Sequence, residues 1–240
     1  MDKFRIELLA ATPNPQQLIW AAMHQDYSED AVCDQLDKFP DEAKAGELII
    51  KHLLAGNKGH FGPLEHPSIT VNVCGFPHSM MQQIRTHRVG ITFDVQSFRY
   101  SGTRIIDVLK NKRELEDVFY LRPVGDYANR QGKKYYYSPE QRQADLDWCL
   151  AACQRYGEHI AAGMAEEQAR SIIPFDVRQH FVMSCNVRSL MHLLDLRWKK
   201  DAQLEAQQFA ELLFAQFEEW TPAIAQWYRQ NRAQKAKLSP

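Results

Sequence analysis

Two periodicities of hydrophobic residues run along the chain. Between Ser68 and Cys74, the apolar residues Ile69, Val71 and Val73 alternate with polar ones, which predicts a half-buried antiparallel strand. An apolar run at 4–10 predicts a second strand. Helical spacing and capping residues predict helices at 15–25, 28–39, 44–55, 77–88, 138–157 (or to 163), 164–171, 177–185, 187–199, 203–218 and from Pro222.

Three stretches lack either period. Residues 58–67 and 120–137 are typical of loops, and 89–100 is a loop or an irregular strand. Helices therefore dominate, and the fold class that we expect is α+β, with a small antiparallel sheet flanked by helices. A chain of 240 residues can form a single domain over 1–240, and we expect a frayed tail from about 232.

Composition and charge narrow the class of protein. Hydrophobic residues make up 45% of the chain and charged residues 25%, as in globular proteins. The 29 basic and 30 acidic residues give a net charge of −1, which argues against a dedicated nucleic-acid binder. Five cysteines form no CxxC pair, which indicates reduced thiols in a cytoplasmic protein. No signal peptide and no membrane-spanning segment are predicted.

Cationic and hydroxyl residues are concentrated between Thr86 and Tyr100. His87 and Arg88 come first, and after an interval of eight residues Ser97 and Arg99 follow. So much positive charge beside an apolar stretch requires an anion, and a phosphate fits both the guanidinium fork and the hydroxyl. The alternative is a core histidine at an exposed basic helix end, where cations suit the helix dipole.

A second group of polar residues interrupts the helix predicted at 187–199. Arg188, His192 and Asp195 share one polar face, which could also be a solvated face with an ion pair. Arg197 instead points with Leu194 and its apolar neighbours. Because an arginine is costly to bury unpaired, it is either a site residue, one half of a structural salt bridge or a side chain that snorkels from the helix end.

Two other classes of function remain open at this point. His60 and His66 could belong to a metal-dependent enzyme acting on a phosphorylated metabolite, although their spacing matches no zinc motif. The tyrosines at 135–137 with nearby cations could belong to a helical RNA-binding module, which the balanced charge disfavours. Neither a Rossmann GxGxxG after a strand nor a P-loop is present, and no cysteine is placed as an evident nucleophile.

Three separated motifs in this order resemble the flavin-dependent thymidylate synthases, the ThyX family. The family signature is Arg-His-Arg, seven residues, and Ser-x-Arg-Tyr; here it is Thr86-His87-Arg88, eight residues, and Ser97-Phe98-Arg99-Tyr100. Residues 59–66, GHFGPLEH, resemble its G-H-x-[TS]-P-x-E-H loop, with Gly62 in place of the hydroxyl residue. Residues 186–197, NVRSLMHLLDLR, match its N-x-R-S-[LW]-x-[NH]-x-x-x-[LM]-R helix. The resemblance covers about residues 45–220 and implies a ThyX-like fold.

The resemblance implies a methyltransferase that makes dTMP from dUMP by reductive methylation. Methylenetetrahydrofolate is the implied one-carbon donor, reduced FAD the hydride donor and NADPH the reductant, and tetrahydrofolate is released. It also implies a homotetramer, with no metal and with no nucleic acid or membrane as partner. Arg197 is the implied catalytic residue, which contacts the uracil edge and favours loss of the N3 proton.

The remaining implied site residues fall into two sets. The implied dUMP-binding residues are Gln83, Arg85, Thr86, Asp94, Gln96, Ser97, Phe98, Arg99, Arg170 and Arg197. The implied FAD-binding residues are His60, Gly62, Glu65, Thr86, His87, Arg88, Asp94, Asn186, Arg188 and His192.

Overall fold

The computed structural model describes residues 3–56, 60–129 and 131–235, and within them the fold is α+β with a small antiparallel sheet. The strands are β1 Arg5–Ala11, β2 Ser68–Pro77, β3 Ile91–Val95, β4 Gly125–Ala128, β5 Lys134–Tyr137 and β6 Arg178–Asn186. The helices are α1 Pro15–Gln25, α2 Glu42–Ile49, α3 His78–Ile84, α4 Phe98–Ser101, α5 Thr103–Leu109, α6 Leu115–Val118, α7 Pro139–Ala161, α8 Glu166–Ala169, α9 Val187–Arg197, α10 Leu204–Trp220 and α11 Pro222–Asn231. Short 3-10 turns lie at Val32–Lys38, Gly62–Glu65 and Arg170–Ile172, and α2 continues as a π turn over Ile50–Leu54.

Four strands form the main sheet in the order β1-β2-β6-β3, and β4 and β5 form a separate antiparallel hairpin. The chain divides into two compact units. The first unit comprises Met1–Phe4, Cys74–Gln83 and Asp94–Phe181, and the second comprises Arg5–Val73, Ile84–Phe93 and Val182–Pro240. The unit boundaries fall within β2, β3 and β6 in sequence.

The first unit has a core built on the long helix α7. Ser138 caps this helix by accepting from the Gln141 backbone N–H, while the Gln141 side chain accepts from the Ser138 N–H. This capping box confirms the predicted helix start. Cys149, Cys153 and Tyr156 of α7 are buried together with apolar residues of α4, α5 and α6.

The second unit has a core of helices packed on one another. Helix α1 packs against α2, and α10 packs against α9, α11 and β1. The largest buried side chains of α10 and α11 are Phe209, Phe214, Phe217 and Tyr228, all less than 2% exposed. No helix of the described residues is both long enough and apolar enough to cross a membrane.

Several local predictions were wrong. The helix predicted at 177–185 is strand β6, in which buried and partly exposed residues alternate with the period of a strand. The helix predicted at 28–39 is only the 3-10 turn Val32–Lys38, broken at Gln35 and without a buried residue to anchor it. The predicted loop at 120–137 contains the β4–β5 hairpin. At 89–100, where a loop or an irregular strand was predicted, strand β3 is present, but helix α4 begins at Phe98. Pro77 ends β2 rather than starting a helix, and α3 stops at Ile84.

Candidate active site

In the second unit, the Arg197 guanidinium is hydrogen-bonded to the turn that follows α3. Arg197 is the last residue of α9, and its Nε donates to His87 Nε2 at 3.1 Å. Its Nη2 donates to Thr86 Oγ1 at 3.2 Å. Because a guanidinium can only donate, His87 Nε2 must be the acceptor, and the imidazole proton is therefore on Nδ1.

Burial fixes the protonation states of this pair. Desolvation, together with the charges of Arg197 and His192, lowers the pKa of His87 to about 4. Burial also lowers the pKa of Arg197 from its usual value, but a guanidinium stays protonated at neutral pH. The His192 ring lies edge-on to the His87 ring, with centroids 5.4 Å apart. The pair is thus a neutral imidazole that orients a charged, half-buried arginine.

The start of α9 is tied to the Val89–Gly90 turn. Asn186 caps the helix, with its side-chain oxygen accepting from the Ser189 N–H at 2.8 Å, and its own N–H donates to Gly90 O at 3.2 Å. Ser189 Oγ donates to Val89 O at 2.8 Å. Gly90 has φ +65°, and a Cβ there would lie 2.2 Å from Ser189 Oγ, so only glycine fits this turn.

A second cation of α9 is held by the Gly62–Glu65 turn. Arg188 Nη1 donates to Glu65 Oε1 at 2.5 Å, and both side chains are partly exposed. Gly62 lies on the surface, and a Cβ there would meet nothing within 4 Å. A hydroxyl residue, as in the family motif, would therefore fit sterically at this position.

His60 borders an aromatic cavity of the second unit. Its Nε2 lies 2.7 Å from Asp26 Oδ2, and the cavity has a volume of about 460 Å³. Gly59, the first residue of the loop motif, lies outside the described residues. The cavity is lined by Trp20, Met23, His24, Tyr27, Leu48, His52, Leu53 and His60. In the described parts of the chain, no group of three or more His, Cys, Asp or Glu side chains could hold a metal ion.

Further cations of the second unit face solvent. Arg85 and Arg88 are exposed, and neither has an ion-pair partner among the residues that the structure describes. Both flank the Thr86–His87 turn, so this turn carries guanidinium groups that an anion can reach.

In the first unit, Ser97 and Arg99 open the short helix α4. Ser97 Oγ accepts from the Arg99 N–H at 3.4 Å. The Arg99 guanidinium lies 3.5 Å from Glu167, and both side chains are about half exposed. Arg170 is the first residue of the 3-10 turn Arg170–Ile172, and it is exposed. Two exposed guanidiniums and one hydroxyl of this unit are therefore accessible to a ligand.

The other predicted residues of the first unit lie around β3 and α3. Gln83 is near the end of α3, Asp94 is exposed in β3, and Phe98 is buried. The Gln96 N–H donates to His180 O at 2.9 Å, and Gln96 Oε1 is buried without a hydrogen-bond partner in the described structure.

Comparison with known proteins identifies the family. Residues 7–223 match the family described as "Thymidylate synthase complementing protein". The flavin-dependent thymidylate synthase of Haloarcula marismortui is 34% identical over 98% of this chain and 99% of its own length. That of Halobacterium salinarum is 31% identical over 98% of this chain and 100% of its own. The chain belongs to the flavin-dependent thymidylate synthase family.

Solved structures related to this family share the fold. The UMP/dUMP methylase PolB of Streptomyces cacaoi, bound to 5-Br dUMP, has a TM-score of 0.77 and 22% identity and covers 100% of this chain and 98% of its own. ThyX of Helicobacter pylori, with FAD and dUMP, has a TM-score of 0.66 and 19% identity over 88% of this chain and 92% of its own. The predicted ThyX-like fold is confirmed.

The family assignment was predicted from motifs, and the structure distributes their residues over the two units. The first unit holds Gln83, Asp94, Gln96, Ser97, Phe98, Arg99 and Arg170. The second unit holds His60, Gly62, Glu65, Arg85, Thr86, His87, Arg88, Asn186, Arg188, His192 and Arg197. Within the second unit the structure brings together Thr86, His87, His192 and Arg197 as one cluster, and Glu65 with Arg188 as one pair.

Sequence reasoning missed two features. Asp26, the partner of His60, lies in an unremarked polar stretch, and no sequence signal pointed to it. Arg104 is 5% exposed in α5, between Phe98 and the start of α7 in sequence. A signal for Arg104 was present, because it lies at helical spacing from Val108 on an apolar face, as Arg197 does on α9.

Proposed function

We propose that the chain catalyses the FAD-dependent reductive methylation of dUMP to dTMP, with methylenetetrahydrofolate as carbon donor and NADPH as reductant. One methylene and one hydride become the methyl group, the C5 proton leaves, and tetrahydrofolate and NADP⁺ are the other products. The observation that carries this proposal is the Arg197 guanidinium oriented by a neutral His87. The family membership and the ligands named for the Helicobacter pylori structure, FAD and dUMP, support it.

The residues of the second unit fit a flavin dinucleotide. A diphosphate needs cations or N–H donors, and exposed Arg85 and Arg88 with the nearby Arg188 provide guanidinium groups. The neutral His87 and the partly exposed His192 are flat and polar, which suits contact with a heteroaromatic ring. His60, Gly62, Glu65, Thr86 and Asn186 of this unit complete the set that we assign to FAD, and the family resemblance adds Asp94, which belongs to the first unit. Bound FAD supplies two-electron chemistry there, taking electrons from NADPH and delivering a hydride.

The residues of the first unit fit the nucleotide phosphate. Ser97 offers a hydroxyl, and Arg99 and Arg170 offer forks that match phosphate oxygens in pairs. Gln83, Asp94, Gln96 and Phe98 are the further residues of this unit that we assign to dUMP, and the family resemblance adds Arg85 and Thr86, which belong to the second unit. Gln96 Oε1, buried and without a hydrogen bond in the described structure, is available to accept from a ligand donor.

Arg197 acts on the uracil ring. A charged donor at the uracil edge stabilises the anion that forms when the N3 proton is lost, and this makes C5 a better carbon nucleophile. His87 and Thr86 hold the guanidinium in one direction, so no reorganisation is needed when charge develops. No enzyme nucleophile is required, and three of the five cysteines, Cys149, Cys153 and Cys185, have pKa values that burial raises to about 11 or 12.

We also propose a cytoplasmic homotetramer. Leu8 and Leu9 of the edge strand β1 are 50% and 56% exposed, which supports contact with another copy. Light scattering of the purified protein tests this assembly, and an active monomer at working concentration contradicts it.

Purified protein tests the activity directly. We expect a yellow protein that releases FAD on denaturation and forms dTMP and tetrahydrofolate from dUMP, methylenetetrahydrofolate and NADPH. A colourless protein whose added FAD shows no absorbance change, with or without dUMP, contradicts the proposal. Release of dihydrofolate instead of tetrahydrofolate contradicts the assigned role of the reductant.

A further inference from the structure

Arg104 is a buried cation of the first unit, and the described residues include no charged partner for it. It is 5% exposed, and its Nη2 donates to the backbone oxygen of Arg178 at 2.6 Å. Its Nε and Nη1 are buried and have no hydrogen-bond partner, and no carboxylate pairs with it among the described residues. The guanidinium carbon lies 4.4 Å from the centre of the Phe98 ring.

The cost of this arrangement is large. Burying a guanidinium removes its hydration, and one carbonyl with one aromatic face does not replace it. The positive charge of Arg113 adds repulsion, and burial with this repulsion lowers the pKa of Arg104 to about 10. Arg104 nevertheless remains charged at neutral pH. A neutral side chain of the same length would therefore stabilise this site if packing were its only role.

Arg178 of the same unit shows the difference. It is also 5% exposed, but its Nε donates to Glu116 O at 2.8 Å and its Nη1 to Gly75 O at 2.7 Å. Its guanidinium also lies over two aromatic rings, Phe4 and Tyr120. The fold thus provides backbone carbonyls for two of the guanidinium nitrogens of Arg178, whereas Nε and Nη1 of Arg104 have no hydrogen-bond partner in the described structure.

The position of Arg104 suggests what compensates its charge. The ring against which it packs belongs to Phe98, which lies between Ser97 and Arg99 in sequence. We propose that Arg104 is a positioning residue for the nucleotide phosphate: it holds the Ser97–Arg99 segment through Phe98, and the phosphate dianion offsets its buried charge. This inference rests on the proposed function, because it takes dUMP as the ligand of that segment.

The test compares the flavin-loaded wild type with two variants. Arg104→Met removes the charge and keeps an unbranched apolar stem, and Arg104→Lys keeps the charge without the planar fork. We expect Arg104→Met to raise the dissociation constant of dUMP about 10-fold or more and to change that of deoxyuridine, which has no phosphate, less than about twofold. The thermal midpoint of the ligand-free Arg104→Met protein should equal or exceed that of wild type. Arg104→Lys should bind dUMP with an intermediate affinity.

Arg155→Gln is the matched control. Arg155 lies in the same unit, is exposed and pairs with Glu158, so this variant makes the same change of net charge without touching a buried group. Its affinity for dUMP should equal that of wild type. Isothermal titration with dUMP and with deoxyuridine measures every affinity.

The outcomes separate the two proposals. A wild type that binds no dUMP overturns the proposed function and this inference with it. A wild type that binds dUMP beside an Arg104→Met protein of equal affinity overturns only the role of Arg104. The role of Arg104 is also overturned if Arg104→Met loses as much affinity for deoxyuridine as for dUMP, or if its thermal midpoint falls while its affinity for dUMP stays unchanged. If Arg104→Met does not fold, Arg104→Lys decides by the same ratio of dUMP to deoxyuridine affinity.

Discussion

Arg197 in the second unit and Arg104 in the first are both arginines on apolar helix faces, yet their surroundings differ. Arg197 donates to an imidazole and a hydroxyl, and burial keeps that imidazole neutral. Arg104 has one carbonyl and one ring. Side chains of the protein orient the charge of Arg197, whereas we propose that a bound anion offsets the charge of Arg104. A polar group whose hydrogen bonds are already formed before the ligand binds is held in one direction, which suits catalysis. A buried polar group that lacks hydrogen bonds gains them when a ligand binds, which suits binding.

The largest expected effect is on the free energy of unfolding, and it concerns a buried ion pair of the second unit. Asp195 is 2% exposed, accepts from Tyr228 Oη at 3.0 Å and forms an ion pair with Arg232. Asp195→Ala leaves a guanidinium buried without its partner, so the free energy of unfolding should fall by about 3–5 kcal/mol in urea denaturation. Asp201→Ala, which removes an exposed partner of Lys199, should cost less than about 1 kcal/mol. Equal costs for the two variants would show that the buried pair adds nothing.

The next effect separates chemistry from binding. Arg197→Ala should lower turnover by about two orders of magnitude, because it removes the charge that stabilises the ionised uracil. Arg197→Lys should restore little, since an ammonium cannot donate to His87 and Thr86 as the fork does. Ser97→Ala should weaken the binding of dUMP by about 1–3 kcal/mol, which appears mainly as a higher KM. Steady-state kinetics with dUMP decide, and an inactive, folded Ser97→Ala beside a near-normal Arg197→Ala would reverse these roles.

The third effect is a pH dependence of stability. The pKa of His87 is about 4 in the folded protein and 6.5 in the unfolded chain, so between these values only the unfolded chain binds the proton. Stability should therefore fall as pH drops from 7 to 5, by about 2 kcal/mol from this group. His87→Gln should remove that part of the slope in denaturant titrations at several pH values. An unchanged slope would mean that His87 titrates normally in the folded state.

The smallest expected effect tests how available Arg99 is. Its pairing with Glu167 is long and solvent-exposed, so it competes only weakly with a phosphate. Glu167→Gln should strengthen dUMP binding about two- to threefold. The same substitution at Glu158, which pairs with Arg155, should leave dUMP affinity unchanged. Weaker binding in Glu167→Gln would indicate that Glu167 holds Arg99 in place for the ligand.

The sequence predicted those elements whose signals are local. Helix α1 has the predicted limits, α7 begins after its capping box at Ser138, and the alternation in β2 was plain. Strand β6 was missed because Arg178 and Gln179 are polar yet buried, which hides the alternation from a hydrophobicity pattern. Burial of those two residues depends on other parts of the chain, and a local window does not contain them.

The candidate site divides in the same way. Motifs gave the family and residues such as His87, Arg188 and Arg197 through resemblance, and their individual roles stay predictions. The pairing of His60 with Asp26 and the burial of Arg104 came only from the structure. No residue type or spacing indicates Asp26 as the partner of His60, which lies 34 residues away. For Arg104 the helical spacing from Val108 was a signal, but its missing partners depend on contacts that the sequence does not show.

The ion pair between Asp195 and Arg232 has a consequence for the order in which the two units can be completed during synthesis. The second unit cannot neutralise the Asp195 carboxylate until residue 232 has been made, whereas every segment of the first unit has been made by residue 181. A chain that ends before residue 232 therefore contains every segment of the first unit but lacks the partner of a buried acid in the second. In a purified chain truncated after residue 200, which lacks Arg232, limited proteolysis should cut α9 faster than in the full-length protein.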